Sequence, residues 1–179
     1  MKCGYVHESV DYYSKGHPLR LRLADPFLLF HYEFLAKGIL ETAGFEDFRN
    51  DTGKYTNWRG HAFEILCMYH IENIKKALGI SGVRTNEYAW ISEKNKTQID
   101  LVIERDDGII NICEEKFTDT AFSVSPEYEQ NLLKKRDTYR EETKTKKALK
   151  IVMISAENIA GKANTENISR VLTLDDLFN

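Results

Sequence analysis

Hydrophobic and polar residues alternate near the start of the chain, a pattern typical of a strand with one exposed face. Leucines and arginines alternate in residues 19–23, within "PLRLRLAD", and this period of two predicts a strand. Asp25 and Pro26 follow with the chemistry of a helix N-cap and a first helical residue. They predict a helix that continues to about Lys37, before Gly38.

A polar stretch that contains glycines, residues 44–60, separates this start from the rest of the chain. Such a composition predicts a loop. We therefore divide the chain into an N-terminal appendage, residues 1–50, and a main domain, residues 51–179. The appendage would be a strand and a helix that remain from, or link to, a preceding module. The total length of 179 residues fits one domain with such an extension.

The main domain alternates between helical and strand patterns. The predicted elements are a helix at about 60–78, the strand "EYAWIS", strands at 98–104 and 109–117, a helix at about 126–142, the strand "ALKIVMIS" and, in "RVLTLDDLF", a short strand with a helical turn. Gly79 ends the first helix, and Ser125 with Pro126 begins the second. The continuous apolar run of "ALKIVMIS" is typical of a buried strand in a parallel pairing. This order indicates an α/β fold, with a mixed sheet flanked by helices.

The composition is that of an ordinary soluble domain, with 42% hydrophobic residues, 30% charged residues and a net charge of −3. That charge disfavours binding to nucleic acid through a long-range field alone. No apolar run approaches the ~18 residues of a membrane span, and no secretory signal follows Met1. We therefore expect no membrane association. The three cysteines are far apart and form no C-x-x-C pair, which favours a reducing cytoplasm over a disulfide framework.

The segment "QIDLVIERDDGIINICEEKF" predicts two strands joined by a turn, yet it carries acids within or at the ends of its apolar runs. A two-residue turn at Asp107-Gly108 would place Asp100 opposite Glu115. A three-residue turn with Gly108 in the left-handed region would place Asp100 opposite Glu114 instead. We favour the second turn, because Asp-Asp-Gly supplies glycine at the position that needs a positive φ.

The triplet Glu114-Glu115-Lys116 ends the second of these strands. Strand alternation puts Lys116 on the face of Glu114 and turns Glu115 to the other face. Adjacent carboxylates such as Asp100 and Glu114 repel each other unless a cation binds them, and oxygen ligands favour Mg²⁺. Lys116 could then orient the attacking water or stabilise charge on a phosphate, which indicates metal-assisted phosphodiester hydrolysis. The alternative is a surface salt bridge without chemistry.

Glu64 is a second acid in an apolar setting. The residues three, four and seven positions after it are apolar, so Glu64 lies on the buried stripe of its predicted helix. It could be a further ligand of the metal or of its water, reaching over the hairpin. It could equally be a partly buried acid held by a salt bridge with Arg59 or Lys116. The pattern leaves both interpretations open.

Residues 134–150 are rich in positive charge, with eight Lys or Arg against three acids. They could form a wall that contacts the phosphates of a nucleic acid. The candidate substrate-lining residues are then Lys134, Lys135, Arg136 and Arg140. We favour the other interpretation, in which the cations suit the C-terminal end of a helix dipole and a solvated loop follows.

These features together resemble the PD-(D/E)xK, or restriction-endonuclease-like, superfamily. The element order α-β-β-β-α-β carries Glu64, then Asp100, then Glu114-x-Lys116. More narrowly, "NWRGHAFEILCMYHIENIKKALGISGV", "QIDLVIERDDGIINICEEKF" and "VLTLDDLF" resemble the C-terminal domain of a family of prokaryotic AAA-type ATPases. The resemblance covers residues from about 19 to 178.

The resemblance implies a nuclease domain that depends on Mg²⁺ or Mn²⁺ and acts on DNA. It implies that Asp100, Glu114 and Glu64 are metal ligands and that Lys116 is the catalytic lysine. Gln98 also matches the family and would line the site. The implied partners are nucleic acid and an AAA-type ATPase module, in cis or in trans.

Two departures from the family accompany the resemblance. Ile99 precedes Asp100 where the superfamily motif has proline. The only fragment similar to a phosphate-binding loop is "DTGKYT", but Phe48 stands at the position of the first glycine and Tyr55 at the position of the required Ser or Thr. We therefore expect no ATP binding by this chain. It would be a standalone relative, a gene fragment or an excised domain. The rival hypothesis is a nuclease-like fold that serves as a non-catalytic interaction module.

Overall fold

The N-terminal part of the chain forms a hairpin and a short helix. The computed structural model describes residues 5–10, 19–38, 52–92, 94–161 and 165–179. Strand β1, Val6–Val10, pairs antiparallel with β2, Leu19–Leu23. Helix α1, Pro26–Phe30, continues as a π-helical turn, His31–Leu35. Asp25 caps α1, because its Oδ1 accepts from the backbone N–H groups of Phe27 and Leu28. The predicted strand and helix start are confirmed.

Helix α2, Thr52–Tyr69, occupies much of the stretch that was predicted to be a loop. That prediction is wrong for residues 52–60, while residues 44–51 lie outside the described part. Aromatic packing explains the difference. Trp58 packs edge-on against Phe30, with ring centroids 5.2 Å apart, and stacks on Tyr55 at 5.6 Å. Its indole N–H donates to the carbonyl of Pro26 over 3.3 Å. These contacts join α1 to α2 and outweigh the low helix propensity of the glycines.

The helix predicted at 60–78 is divided in two. Helix α2 ends at Tyr69, and α3, Ile71–Ala77, begins after His70. No glycine or proline marks this break. The His70 ring instead packs edge-on against Phe178, with centroids 4.6 Å apart. Gly79, with a φ of 72°, follows α3 as predicted.

The main sheet has five strands in the order β3-β4-β5-β6-β7. The strands are β3, Thr85–Ile91; β4, Gln98–Arg105; β5, Ile109–Lys116; β6, Ala148–Ser155; and β7, Ile168–Leu172. The first three form an antiparallel meander, whereas β6 pairs parallel with both β5 and β7. The predicted mixed sheet and the parallel pairing of "ALKIVMIS" are confirmed.

Helices cover both faces of this sheet. Helices α2, α3 and α5, Leu174–Phe178, pack on one side, here called the α2 face, around a core that includes Phe63, Cys67 and Val152. Helix α4, Pro126–Thr143, covers the other side, here called the α4 face, where Tyr139 packs with Trp90. The molecule is thus a mixed α/β domain. No helix of the described segments is both long and apolar enough to cross a membrane.

The turn between β4 and β5 fixes the position of the acids. Leu101 pairs with Cys113 and Glu104 with Ile110, so residues 106–108 form a three-residue turn. Gly108 has a φ of 85°, in the left-handed region. The favoured turn of the two considered above is therefore the observed one.

We predict that alanine substitutions at Gly108 and Gly60 have opposite effects. An added Cβ meets nothing within 4 Å at either site, so only backbone conformation differs. Gly108→Ala should lower the free energy of unfolding by about 1 kcal/mol, because alanine resists a positive φ. Gly60→Ala should raise it by about 1 kcal/mol, because Gly60 lies inside α2. Urea unfolding checks both, and a loss of stability at Gly60 would contradict the helix assignment.

Candidate active site

The start of β4 and the end of β5 meet at one end of the sheet. Since Leu101 pairs with Cys113, the next position along each strand brings Asp100 beside Glu114. Asp100 Oδ2 accepts from the backbone N–H of Glu115 over 3.3 Å, and Oδ1 accepts from Gln98 Nε2 over 3.4 Å. Gln98 therefore lies beside Asp100 and helps to position its carboxylate.

An irregularity in the pairing of β3 with β4 lies next to Asp100 and affects the direction of its side chain. Tyr88 pairs with Val102 but Trp90 pairs with Ile99, so β4 has one extra residue here. Ile99 and Val102 both pack on the α4 face, although a regular strand would separate them. Bulges of this kind redirect a side chain and are common next to active sites. The pattern of apolar and polar residues in β4 did not predict this bulge.

Asp100 acts electrostatically on both faces of the sheet. Burial is the main cause of the raised pKa of Glu114 and of Tyr128 on the α4 face, and the charge of Asp100 makes a smaller contribution to both. It also adds to the raised pKa of Cys113 on the α2 face, where burial is the main cause and Glu115 the next. Asp100 is therefore placed where a cation would relieve repulsion with Glu114.

Glu114 lies against α4 and has partners on both carboxylate oxygens. Lys135 Nζ is 2.5 Å from Oε2, and the Tyr128 hydroxyl donates to Oε1 over 3.1 Å. The side chains of Glu114 and Lys135 are only 12% and 15% exposed. Burial raises the pKa of Glu114 above its ordinary value, and Asp100 adds to this rise; Lys135 and Tyr128 oppose it by favouring the charged form.

Lys116 lies on the same face as Glu114, as strand alternation predicted. Its ammonium is 5.8 Å from the ring centroid of Phe122 and 6.0 Å from that of Tyr128. These two rings pack edge-on, with centroids 5.0 Å apart. Among the described residues Lys116 forms no ion pair, so its charge is held by aromatic faces alone. The ammonium remains available for an anionic group.

The structure does not bring Glu64 to this side of the sheet. Glu64 is 17% exposed on α2, with His61 Nδ1 3.6 Å from its carboxylate. It contributes, together with Glu115, to raising the pKa of Cys67, for which burial is the main cause. Glu64 thus belongs to the α2 face with Glu115, whereas Glu114 faces α4. The proposal that it reaches over the hairpin to the same metal has no geometric support.

Arg59, one of the two residues considered as a partner for Glu64, binds Asp119 instead. Its guanidinium lies 2.6 Å from each carboxylate oxygen of Asp119. The rings of Tyr55 and Phe117 flank it, with each centroid 5.1 Å from the guanidinium carbon. This cluster fixes the segment after β5 to α2, directly beyond Lys116.

The four basic residues named as substrate-lining have different surroundings. Lys135 points to the sheet and Glu114, whereas Lys134 is exposed. Arg136 binds the adjacent Asp137 at 2.8 Å, and Arg140 donates to the carbonyl of Lys147 over 3.5 Å. The structure therefore brings only Lys135 to the candidate site.

The spacing of residues along α4 indicates which of its side chains face the sheet, and these include the partners of Glu114. Tyr128, Leu132, Lys135 and Tyr139 follow one another at intervals of four, three and four residues, which place them on one stripe of α4. Leu132 and Tyr139 are buried. A lysine within such a stripe is expected to pair with an acid across the packing interface, because a buried charge is costly when it is unpaired. The spacing thus identifies Lys135, although it does not say which acid it meets.

The donor set at this end of the sheet is chemically suited to a hard divalent cation. Asp100 and Glu114 offer carboxylate oxygens, and Mg²⁺ commonly uses one or two carboxylates with several waters. In the part of the chain that the structure describes, no three His, Cys, Asp or Glu side chains group closely enough to hold a metal. The fit is therefore to a two-carboxylate site, without Glu64.

No family model, curated protein or solved structure matches this chain. The side chains themselves must therefore indicate the function.

We predict that Tyr128→Phe raises the pKa of Glu114 further, because the lost hydrogen bond favoured the carboxylate. Carbon-detected NMR titration in metal-free buffer would measure it, with Tyr69→Phe, an exposed tyrosine, as the control. An unchanged or lower pKa in Tyr128→Phe would contradict the hydrogen bond.

The raised pKa of Glu114 also predicts a pH dependence of stability. Because the folded-state pKa lies above the ordinary 4.5, Glu114 should make the free energy of unfolding fall as the pH rises from 4.5 through that pKa.

Proposed function

We propose that this domain is a nuclease that depends on Mg²⁺ or Mn²⁺ and hydrolyses phosphodiester bonds in DNA. The observation that carries the proposal is the register of β4 and β5. That register sets Asp100 beside Glu114 and puts Lys116 on the face of Glu114, at one end of the sheet. The PD-(D/E)xK resemblance gives the same three residues the same roles.

Each residue then has a distinct task. Asp100 and Glu114 would hold the cation, and the two N–H groups that Asp100 accepts from keep its carboxylate in place. A bound Mg²⁺ or Mn²⁺ supplies Lewis-acid activation of water and neutralises phosphate charge. Lys116 would stabilise the negative charge that develops on the phosphate. The rings of Phe122 and Tyr128 restrict its ammonium to the site.

An AAA-type ATPase module, in cis or in trans, is the partner that the resemblance supports. Such a module would deliver or open the nucleic acid for a domain whose own net charge is −3. The buried free thiols of Cys67 and Cys113 are compatible with a reducing cytoplasm.

The second candidate function is a non-catalytic interaction module for an ATPase partner or for nucleic acid. One observation favours it: both carboxylate oxygens of Glu114 already have partners from α4. In a non-catalytic domain, Glu114 would have only a structural role, and its contacts with Lys135 and Tyr128 would never need to break.

Metal binding and DNA cleavage by Asp100→Ala decide between the two functions. We expect the wild type to bind Mn²⁺ by calorimetry and to nick a supercoiled plasmid, and both properties to disappear in Asp100→Ala. Asp106→Ala, which removes an exposed acid from the turn, is the control and should behave as wild type. If the wild type neither binds the metal nor nicks the plasmid, the interaction module is the better interpretation.

Lys116→Met should separate chemistry from metal binding. We expect cleavage to fall by roughly 100-fold or more, because one electrostatic stabiliser of the transition state is lost, while Mn²⁺ affinity is retained. Lys150→Met, at an exposed position where β6 begins, removes the same charge and should cleave normally. Equal cleavage by both variants would exclude a catalytic role for Lys116.

A further inference from the structure

Lys135 forms an ion pair with one of the two acids of the candidate site, Glu114. It comes from the third turn of α4, and its ammonium is 2.5 Å from Oε2 of Glu114. Both side chains are largely buried, so solvent screens their attraction poorly. The adjacent charge of Asp100, which opposes ionisation of Glu114, makes a positive partner more valuable still.

Asp100 differs from Glu114 in this respect. In the part of the chain that the structure describes, Asp100 accepts only from uncharged groups, the backbone N–H of Glu115 and the amide of Gln98. Glu114 thus has a lysine as its partner, whereas Asp100 has no cationic partner in the described part of the chain. A metal ion could bind Asp100 without displacing another cation, but it would have to displace the Lys135 ammonium from Glu114.

We propose that Lys135 is an internal competitor of the divalent metal, and that its release from Glu114 is a required step of metal binding. This inference rests on the proposed function, because it assumes that the metal binds at Asp100 and Glu114. The cost of separating a buried ion pair lowers the affinity for the metal. By linkage, the metal weakens the ion pair by the same factor.

Calorimetric titration with Mn²⁺ tests the competition. Lys135→Met removes the ammonium but keeps an unbranched side chain, and we expect it to bind Mn²⁺ about tenfold more tightly or better. The control is Lys146→Met, which removes an equal charge from an exposed position just after α4 and should match the wild type. In Lys135→Met with Glu114→Gln, the gain should disappear.

Thermal unfolding gives a readout that is independent of cleavage. In EDTA, Lys135→Met should melt below the wild type, since Glu114 loses its cationic partner. Saturating Mn²⁺ should raise the melting temperature of Lys135→Met by more than it raises that of the wild type. Lys135→Gln offers a neutral side chain that still donates to Glu114, should Lys135→Met fail to fold. It should also bind Mn²⁺ more tightly than the wild type.

The outcomes distinguish the inference from the proposed function. If the wild type and both neutral Lys135 variants bind Mn²⁺ equally, and Asp100→Ala does not bind, the nuclease site stands and the competitor is refuted. If only the Lys135 variants bind, the competitor is confirmed, but the wild type lacks the metal binding that the proposed function requires. If none of these chains binds Mn²⁺, the metal site and the inference both fail.

Discussion

The antiparallel register of β4 and β5 decides which charged side chains meet at the end of the sheet. Because side chains alternate with a period of two, a slip of one residue in β5 would turn Glu114 and Lys116 to the α2 face. The turn that ends at Gly108 prevents this slip from one side. The parallel pairing of β5 with β6 along its whole length, from Ile109 to Lys116, prevents it from the other. The geometry of the site thus follows from backbone pairing before any side chain contributes.

Burial of Glu114 is the second constraint. Removal of one partner from a buried ion pair commonly costs about 3–5 kcal/mol, much of it from the charge left behind. Helix α4 therefore cannot be treated as a passive cover, because it supplies the groups that make the ionised form of Glu114 tolerable. An ionised carboxylate that is so little exposed needs a cation or hydrogen-bond donors beside it. Lys135 and Tyr128 supply both to Glu114.

Local chemistry predicted the features that depend on neighbours in sequence. Asp-Asp-Gly specifies the turn, and Asp25 with Pro26 specifies the start of α1, because the physical requirement lies within a few residues. Features that depend on contacts between residues distant in sequence were not predicted. The packing of Trp58 against Phe30 extends α2 through a polar stretch, and the bulge at Asp100 depends on how β3 pairs. The face chosen by Glu64 likewise depends on where α2 rests on the sheet.

The first turn of α4 can open at a lower free energy than the whole domain needs to unfold. Ser125 caps this turn, with its Oγ accepting from the backbone N–H of Tyr128 over 3.2 Å. Fraying of one helical turn would withdraw the Tyr128 hydroxyl from Glu114 and its ring from Lys116 together, while the deeper stripe with Leu132 and Tyr139 stayed packed. Helix ends open at far lower free energy than whole domains. The Ser125 cap therefore controls how readily Tyr128 leaves Glu114 and Lys116, whereas the contact of Lys135 with Glu114 does not depend on it.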